Sequence, residues 1–194
     1  MRESRRPGVF CDRGGAVAWA RAVACDPDTV YLDTETTGLA DAAEILEVAV
    51  VAGDGRVLLD TLVRPRQAIP RDATRIHGIG DGDVVGAPDW RIVNAYLCQA
   101  LVGRRVIVYN AEFDRRLVAQ SCRLHGVPAP DCAWECAMRA FAAFRAEPAG
   151  FRGDFRWHRL EVAVATFGAP PGGHRALGDA LACRAVVRGM AGVR

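Results

Sequence analysis

Residues 33–39 read Asp-Thr-Glu-Thr-Thr-Gly-Leu and directly follow the apolar run Val-Tyr-Leu at 30–32. The apolar run is typical of a strand, and strand side chains alternate between two faces, so Asp33 and Glu35 are predicted to project from the same face. Two carboxylates held that close repel each other, which raises the cost of ionising either one. Mg²⁺, which prefers oxygen ligands, would relieve this repulsion. The pattern favours a metal site, although a strand that ends in a polar turn has a similar composition.

A second candidate segment follows the apolar run 106–109. Asn110 is placed to begin a helix as its N-cap, and Asp114 lies one helical turn later on the same face. Acidic residues in a first turn also interact favourably with the helix dipole, so Glu112 and Asp114 could be purely structural. This segment alone leaves both interpretations open.

A third candidate segment, residues 172–180, reads Gly-Gly-His-Arg-Ala-Leu-Gly-Asp-Ala. His174 and Asp179 are five residues apart, which on one helix would turn their side chains roughly 140° away from each other. We therefore predict that His174 lies on the glycine-rich segment before a helix and that Asp179 lies on the helix itself. That arrangement would let the histidine swing over a metal-bound carboxylate. An ordinary loop histidine is the alternative.

The remaining hydrophobic pattern predicts an α/β order of elements in a mixed sheet flanked by helices. The turn Gly53-Asp54-Gly55 predicts a hairpin between the second and third strands. Short helical turns are expected within the Pro- and Gly-rich residues 65–87. Strands are predicted at 29–33, 44–52, 56–64, 105–109 and 131–134, and helices at 15–25, 89–101, 111–125, 135–146, 158–167 and 175–190.

Together, the three candidate segments resemble the DEDD superfamily of 3′–5′ exonucleases in its histidine-containing (DEDDh) branch. More narrowly, they resemble the proofreading-subunit-type exonucleases of DNA polymerases. Residues 76–79, Ile-His-Gly-Ile, match a segment that commonly lies between the first two motifs of these enzymes. The resemblance covers about residues 29–190 and implies an RNase H-like fold.

The resemblance also implies a catalytic set: Asp33, Glu35, Asp114, His174 and Asp179. The four acids would bind two ions, Mg²⁺ or Mn²⁺, with Asp33 bridging both. Glu35 and Asp179 would complete the site of the ion that carries the attacking water, and Asp114 would support the second ion. His174 would act as general base, because the unperturbed histidine pKa of roughly 6.5 suits that role. The products would be 5′-mononucleotides released from a 3′ end.

Four further residues are predicted to contact the substrate: Thr36, Leu39, His77 and Asn110. By resemblance, the backbone at Thr36 would contact the terminal 3′-hydroxyl, and Leu39 would wedge beside the terminal base. His77 is included because it lies in the matching segment 76–79. Asn110 either holds backbone geometry beside the substrate or only caps its helix.

Two features leave structural alternatives open. Glu47 lies in an otherwise apolar run, where it either faces the cleft or alternates toward solvent. Residues 150–159 interleave aromatic and arginine side chains, which suits binding to single-stranded nucleic acid. The preferred interpretation of this segment is instead a surface loop whose Phe155 and Trp157 cover the core.

The composition predicts a cytoplasmic protein of one domain, at residues 29–194, with residues 1–28 as an extension whose helix packs on the core. No long apolar span or secretory leader is visible in the sequence, so no membrane association is expected. Seven cysteines, an odd number, predict free thiols in a reducing compartment. A zinc site at Cys132, Cys136 and His125 would lack a fourth ligand.

The charge balance is compatible with transient binding to nucleic acid. Without the four proposed metal ligands, 19 acids remain against 25 bases, all of them arginine.

The predicted partner is a single-stranded DNA 3′ end. The alternatives are an exoribonuclease of the same fold and a non-catalytic module that binds nucleic acid or a polymerase. Because all five catalytic positions are filled, an enzyme is favoured. The chain ends soon after its last predicted helix, so a standalone enzyme is as plausible as one associated with a DNA polymerase. Monomer and homodimer both remain open.

Overall fold

A five-stranded mixed sheet forms the centre of this computed structural model, which describes residues 10–150 and 154–192. The strands are β1 (Thr29–Thr36), β2 (Ile45–Ala52), β3 (Val57–Leu62), β4 (Arg105–Val108) and β5 (Ala133–Cys136). Their spatial order is β3-β2-β1-β4-β5. The pairs β3–β2 and β2–β1 are antiparallel, and the pairs β1–β4 and β4–β5 are parallel. The carboxyl ends of β1, β4 and β5 therefore meet at one edge of the sheet. The predicted mixed sheet is confirmed.

Helices cover both faces of the sheet. They are α1 (Arg13–Cys25), α2 (Arg71–His77), α3 (Asp81–Val84), α4 (Trp90–Leu101), α5 (Ala111–His125), α6 (Ala137–Arg145), α7 (Leu160–Thr166) and α8 (Ala176–Ala191). Most predicted boundaries fall within two residues of these. β1 is longer than predicted, because it continues through Glu35 and Thr36. No helix of the described residues has both the length and the apolar character that crossing a membrane requires.

The alternation of side chains along β1 sorts its residues between two core layers. Tyr31 packs with α1, α6, α7 and α8, whereas Val30 and Leu32 pack with α4 and α5. By the same alternation, Asp33 and Glu35 continue the face of Tyr31. The two carboxylates are thus directed toward the layer that contains α8.

Helix α1 packs against α6 and α8. The helical part of the predicted extension therefore lies on the core, while residues 1–9 are outside the described residues. A domain boundary between residues 28 and 29 stays a prediction.

The segment before α8 approaches the helix so closely that two positions require glycine. A Cβ atom on Gly178 would lie 2.0 Å from the carbonyl oxygen of Gly172. A Cβ atom on Gly172 would lie 1.8 Å from Oδ1 of Asp179. These two absent side chains allow the loop that carries His174 to lie directly against the first turn of α8.

Gly178→Ala should destabilise the protein, although alanine in a helix interior is normally favoured over glycine by about 1 kcal/mol. The added methyl group must displace the Gly172 carbonyl, and overpacking of this kind costs about 1–3 kcal/mol. Urea unfolding measures the change.

Gly82→Ala in α3 is the matched control, because no atom lies within 4 Å of the added Cβ. Its free energy of unfolding should equal or slightly exceed the wild-type value. A Gly178→Ala variant as stable as the control would contradict the close packing.

Candidate active site

Three carboxylates converge at the carboxyl end of β1. Asp33, Glu35 and Asp179 each offer an oxygen atom, and these oxygens lie within 4.8 Å of one another. The first two come from one face of β1, and the third comes from the first turn of α8, which covers that face. Within residues 10–150 and 154–192, no other group of three acidic, histidine or cysteine side chains is spaced to hold a metal ion.

Asp114 reaches the same end of β1 from α5, on the opposite side of the sheet. Its side chain is buried, and its Oδ1 accepts a 2.7 Å hydrogen bond from Oγ1 of Thr34. Thr34 points toward α5 because it lies between Asp33 and Glu35 on the alternate face. Asp114 is therefore adjacent to the group of three without being part of it, and sequence reasoning missed the threonine that holds it.

Burial and mutual repulsion raise the pKa of all four carboxyl groups. Burial, followed by the charges of Asp114 and Asp179, holds the pKa of Asp33 well above its usual range. Burial and Asp179 raise the pKa of Glu35 to about 8. Burial raises the pKa of Asp114 to about 7, against the opposing hydrogen bond from Thr34. Burial also raises the pKa of Asp179, which the nearby His174 partly offsets.

This donor set fits a hard divalent cation. Closely spaced carboxylates that resist ionisation in one another's presence gain most from a positive charge between them. An all-oxygen set is what Mg²⁺ and Mn²⁺ prefer, and it excludes the soft thiolate ligands that favour zinc.

His174 lies on the segment before α8, as predicted. It has a positive φ of 56°, and its side chain is 51% exposed. Its backbone lies close enough to the Asp179 carboxylate to help lower the pKa of that group. The Nε2 atom lies 3.8 Å from Oε1 of Glu161 in α7, a neighbour that no local sequence pattern indicated.

Glu47 holds the start of α8 in place. It is buried, and both of its carboxylate oxygens accept hydrogen bonds from Arg175, with Nε at 3.1 and 3.0 Å. Its Oε2 also accepts a 2.9 Å bond from the backbone N–H of Ala176. The solvent-facing interpretation of Glu47 is wrong, because its cross-strand partner in the β1–β2 register is Glu35, on the face that α8 covers. Arg175 thereby balances one of two like charges that lie opposite each other.

Three of the four residues predicted to contact the substrate lie at the ends of two strands: Thr36 and Leu39 at and after the end of β1, and Asn110 after β4. Leu39 is 79% exposed on the loop after β1. Oγ1 of Thr36 donates a 2.8 Å hydrogen bond to the carbonyl of Gly38, and the N–H of Thr37 donates a 2.9 Å bond to the carbonyl of Glu44, so the turn is fixed. Asn110 occupies the N-cap position of α5, as predicted, but its side chain makes no capping hydrogen bond.

His77 is buried at the end of α2, and its Nδ1 accepts a 3.0 Å hydrogen bond from the backbone N–H of Ile79. Its Nε2 has no hydrogen-bond partner among the described residues. Burial lowers the pKa of this histidine, an effect that the nearby backbone of Thr36 partly offsets, and the Nε2 atom is itself buried.

Two other sequence interpretations are resolved. His125, considered for a zinc site, instead lies beside Glu44, with 3.9 Å between Nε2 and Oε2. Trp157 was expected to cover the core, but its side chain is 57% exposed, so that interpretation is wrong for this residue. Residues 151–153, part of the aromatic and arginine segment, are outside the described residues.

A family model described as Exonuclease, RNase_T, matches residues 30–187. The chain belongs to this exonuclease family. It is 38% identical over 162 residues to an uncharacterized exonuclease of Escherichia phage 186, an alignment that covers 79% of this chain and 83% of the relative. It is also 30% identical to a DNA polymerase III subunit epsilon-like protein of Rhodobacter capsulatus, across 88% of this chain but only 24% of that protein.

Solved structures of exonucleases share the fold. Exonuclease X in complex with 5′ overhanging duplex DNA has a TM-score of 0.61 and 27% identity, and the match covers 86% of this chain and 94% of that chain. The nuclease domain of 3′hExo, a DEDDh family member bound to rAMP, has a TM-score of 0.69 at 18% identity, with 84% and 92% covered. The chain is therefore an RNase H-like exonuclease of the DEDDh type, a metal-dependent hydrolase that acts on nucleic acid.

Glu47→Gln should destabilise the protein by about 1.5–3 kcal/mol, the range for hydrogen bonds to charged groups. The amide keeps the size of the side chain but loses the charge that binds Arg175. Urea unfolding measures the change, and Asp54→Asn is the matched control. Asp54 pairs with Arg56 at 3.8 Å on the surface, where such pairs contribute at most about 1 kcal/mol. Equal effects of the two substitutions would contradict the role of Glu47.

Asp33→Asn should stabilise the metal-free protein at pH 8, because it removes one acid from the cluster of mutually repelling carboxylates. The raised carboxyl pKa values mean that the folded protein binds more protons than the unfolded chain, from about pH 4 up to the Glu35 pKa of about 8. Stability without metal should therefore fall as pH rises through this window, and fall less in the variant.

Thermal unfolding with EDTA and with Mg²⁺ checks this expectation. Mg²⁺ should raise the Tm of the wild-type protein and have little effect on Asp33→Asn. Asp41→Asn, at an exposed acid, should behave like wild type. A wild-type Tm that does not respond to Mg²⁺, or an Asp33→Asn variant less stable than wild type in EDTA, would count against the site.

Proposed function

We propose that this exonuclease removes 5′-mononucleotides one at a time from the 3′ ends of single-stranded DNA, with two bound Mg²⁺ or Mn²⁺ ions. The observation that carries the proposal is the convergence of Asp33, Glu35 and Asp179 within 4.8 Å. Side chains from elements far apart in the chain meet there despite the cost of bringing like charges together.

The four acids divide between the two ions. Asp33 would contact both ions, Glu35 and Asp179 would contact one, and Asp114 would support the other. When bound, the ions supply Lewis-acid activation of water and neutralise charge on the scissile phosphate and the leaving oxygen. The Thr34 hydroxyl keeps the Asp114 carboxylate in a fixed orientation.

His174 takes the proton from the attacking water in this proposal. The ring of His174 is half-exposed, so a water molecule can reach it. The packing of Gly172 against α8 holds the His174 backbone beside Asp179. Glu161 lies close enough to stabilise the imidazolium that forms, because an opposite charge favours the protonated ring.

The terminal nucleotide lies on the β2 side of the carboxylates, where three of the four proposed contacts occur: Thr36, Leu39 and His77. The exposed Leu39 packs beside the terminal base, and the backbone at Thr36 contacts the 3′-hydroxyl. His77 is buried beside the backbone of Thr36, so it would support the turn that holds the same nucleotide. Asn110 lies on the opposite side, next to the strand that enters the site.

The choice of DNA and the wider setting rest on the relatives and the cysteines. Exonuclease X was solved with DNA, and the epsilon-like relative supports a role in DNA repair or replication with possible association with a polymerase. All seven cysteines are free, which supports a cytoplasmic location. The protein acts as a monomer or homodimer.

An assay with end-labelled oligonucleotides tests this function. DNA and RNA of the same sequence, each labelled at the 3′-terminal nucleotide, are incubated with Mg²⁺, Mn²⁺ or EDTA. Labelled mononucleotide should appear from DNA with either metal and not with EDTA. Asp33→Ala should reduce release to background, and His174→Ala should reduce it about 10²- to 10⁴-fold, the usual contribution of a general base. Asp41→Ala should remain fully active.

The alternatives give different results in the same assay. Faster release from RNA than from DNA would identify an exoribonuclease. Products longer than a mononucleotide, or release that persists in EDTA or in Asp33→Ala, would contradict the proposed mechanism.

A further inference from the structure

A cavity of about 350 Å³ lies at the carboxyl ends of β4 and β5. None of the four proposed metal-binding acids lines it. Asn110 and Arg115 line it from α5, Trp134 lines it from β5, and Arg139 lines it from α6. Trp157 closes one side. Asn110 connects this cavity to the region where the nucleic acid is proposed to bind.

Trp157 exposes a large aromatic surface at the cavity. Its side chain is 57% exposed, and the guanidinium carbon of Arg139 lies 5.9 Å from its ring centroid. Exposed aromatic rings flanked by arginine form the stacking platforms of proteins that bind single-stranded nucleic acid. The ring is therefore free to contact a ligand.

The backbone on both sides of Trp157 is held firmly. The hydroxyl of Tyr109 donates a 2.9 Å hydrogen bond to the carbonyl of His158, whose ring packs edge-on against Phe141 with centroids 5.7 Å apart. The N–H of Arg156 donates a 2.8 Å bond to the carbonyl of Glu147. A platform that is already fixed costs less entropy when it binds a ligand.

The charges around the cavity favour a phosphodiester. Arg115 is exposed and has no ion pair with any described residue, and Arg139 is paired only with the exposed Glu112, at 3.5 Å. The one other acid in the wall, Glu135, is neutralised by Arg105. The wall thus has an aromatic face for a base and positive charge for phosphate, the two components of a nucleotide.

The position of the cavity identifies which nucleotide it would take. In the proposed function, the scissile phosphate binds at the carboxylates on β1 and the terminal nucleotide lies on the β2 side. The rest of the strand must then leave on the other side, past β4 and β5. Neighbouring strands are about 5 Å apart, so the cavity begins about 5–10 Å from β1.

We propose that this cavity is a binding subsite for a nucleotide upstream of the scissile phosphate, in which Trp157 stacks on the base and Arg115 and Arg139 contact the adjoining phosphates. The subsite rests on the proposed exonuclease function and determines how strongly the enzyme retains single-stranded substrate.

Kinetics on two substrates test the subsite. One is a single-stranded DNA octanucleotide. The other is the p-nitrophenyl ester of thymidine 5′-monophosphate, which has a terminal nucleotide but no upstream nucleoside. Trp157→Ala should raise KM for the octanucleotide about 5- to 20-fold, the lower part of the range for stacking on one base, and leave kcat within about twofold. Hydrolysis of the ester should change less than about twofold, and Trp157→Phe should retain most octanucleotide binding.

Two controls make the result specific. Tyr96→Ala removes an aromatic ring with the same exposure, 58%, from α4, outside the cavity wall, and should leave both substrates unaffected. Octanucleotides with one abasic position, moved stepwise from the 3′ end, identify the stacked base. The difference in KM between wild type and Trp157→Ala should disappear only when the base over Trp157 is missing.

The outcomes separate the two proposals. An active wild type whose octanucleotide KM is unchanged in Trp157→Ala would overturn the subsite alone. Equal losses on octanucleotide and ester would also overturn the subsite, because they would place Trp157 in a general structural role. A wild type that hydrolyses neither substrate would overturn the exonuclease function and the subsite together.

Discussion

Electrostatic repulsion at the end of β1 is the constraint on which the rest of the structure depends. Asp33, Glu35 and Asp179 have oxygens within 4.8 Å of one another, and Asp114 adds its charge from behind the strand. Burial makes each charge more costly, which the raised pKa values express. A fold that keeps this arrangement without a compensating cation spends stability at its site, as functional sites commonly do. A divalent ion converts the same repulsion into binding free energy.

Contacts made by other residues hold the cluster of acidic side chains in place. Strand alternation directs Asp33 and Glu35 toward α8, and the buried Glu47 fixes the start of that helix through Arg175 and the Ala176 N–H. The close approach of Gly172 to α8 then sets the position of Asp179 relative to the histidine loop. Each of these contacts joins parts of the chain that are distant in sequence, so the site assembles only when the sheet and α8 have formed.

Local patterns in the sequence predicted the parts of the site that local geometry determines. The shared face of Asp33 and Glu35 follows from strand alternation, and the place of His174 before α8 follows from its spacing to Asp179. The Glu47–Arg175 pair could not be predicted in the same way, because 128 residues separate its partners. Trp157 was misjudged because its exposure depends on how α6 and the loop before α7 pack. Asn110 takes its predicted N-cap position, but the absence of its capping hydrogen bond could not be predicted from local sequence.

Anomalous diffraction from crystals that contain Mn²⁺ and thymidine 5′-monophosphate tests the central claim most directly. We predict two manganese peaks about 4 Å apart, each within about 2.5 Å of an oxygen of Asp33. One of them should also contact Glu35 and Asp179. The absence of manganese at Asp33, Glu35 and Asp179, or manganese bound only at acids elsewhere on the surface, would contradict the account.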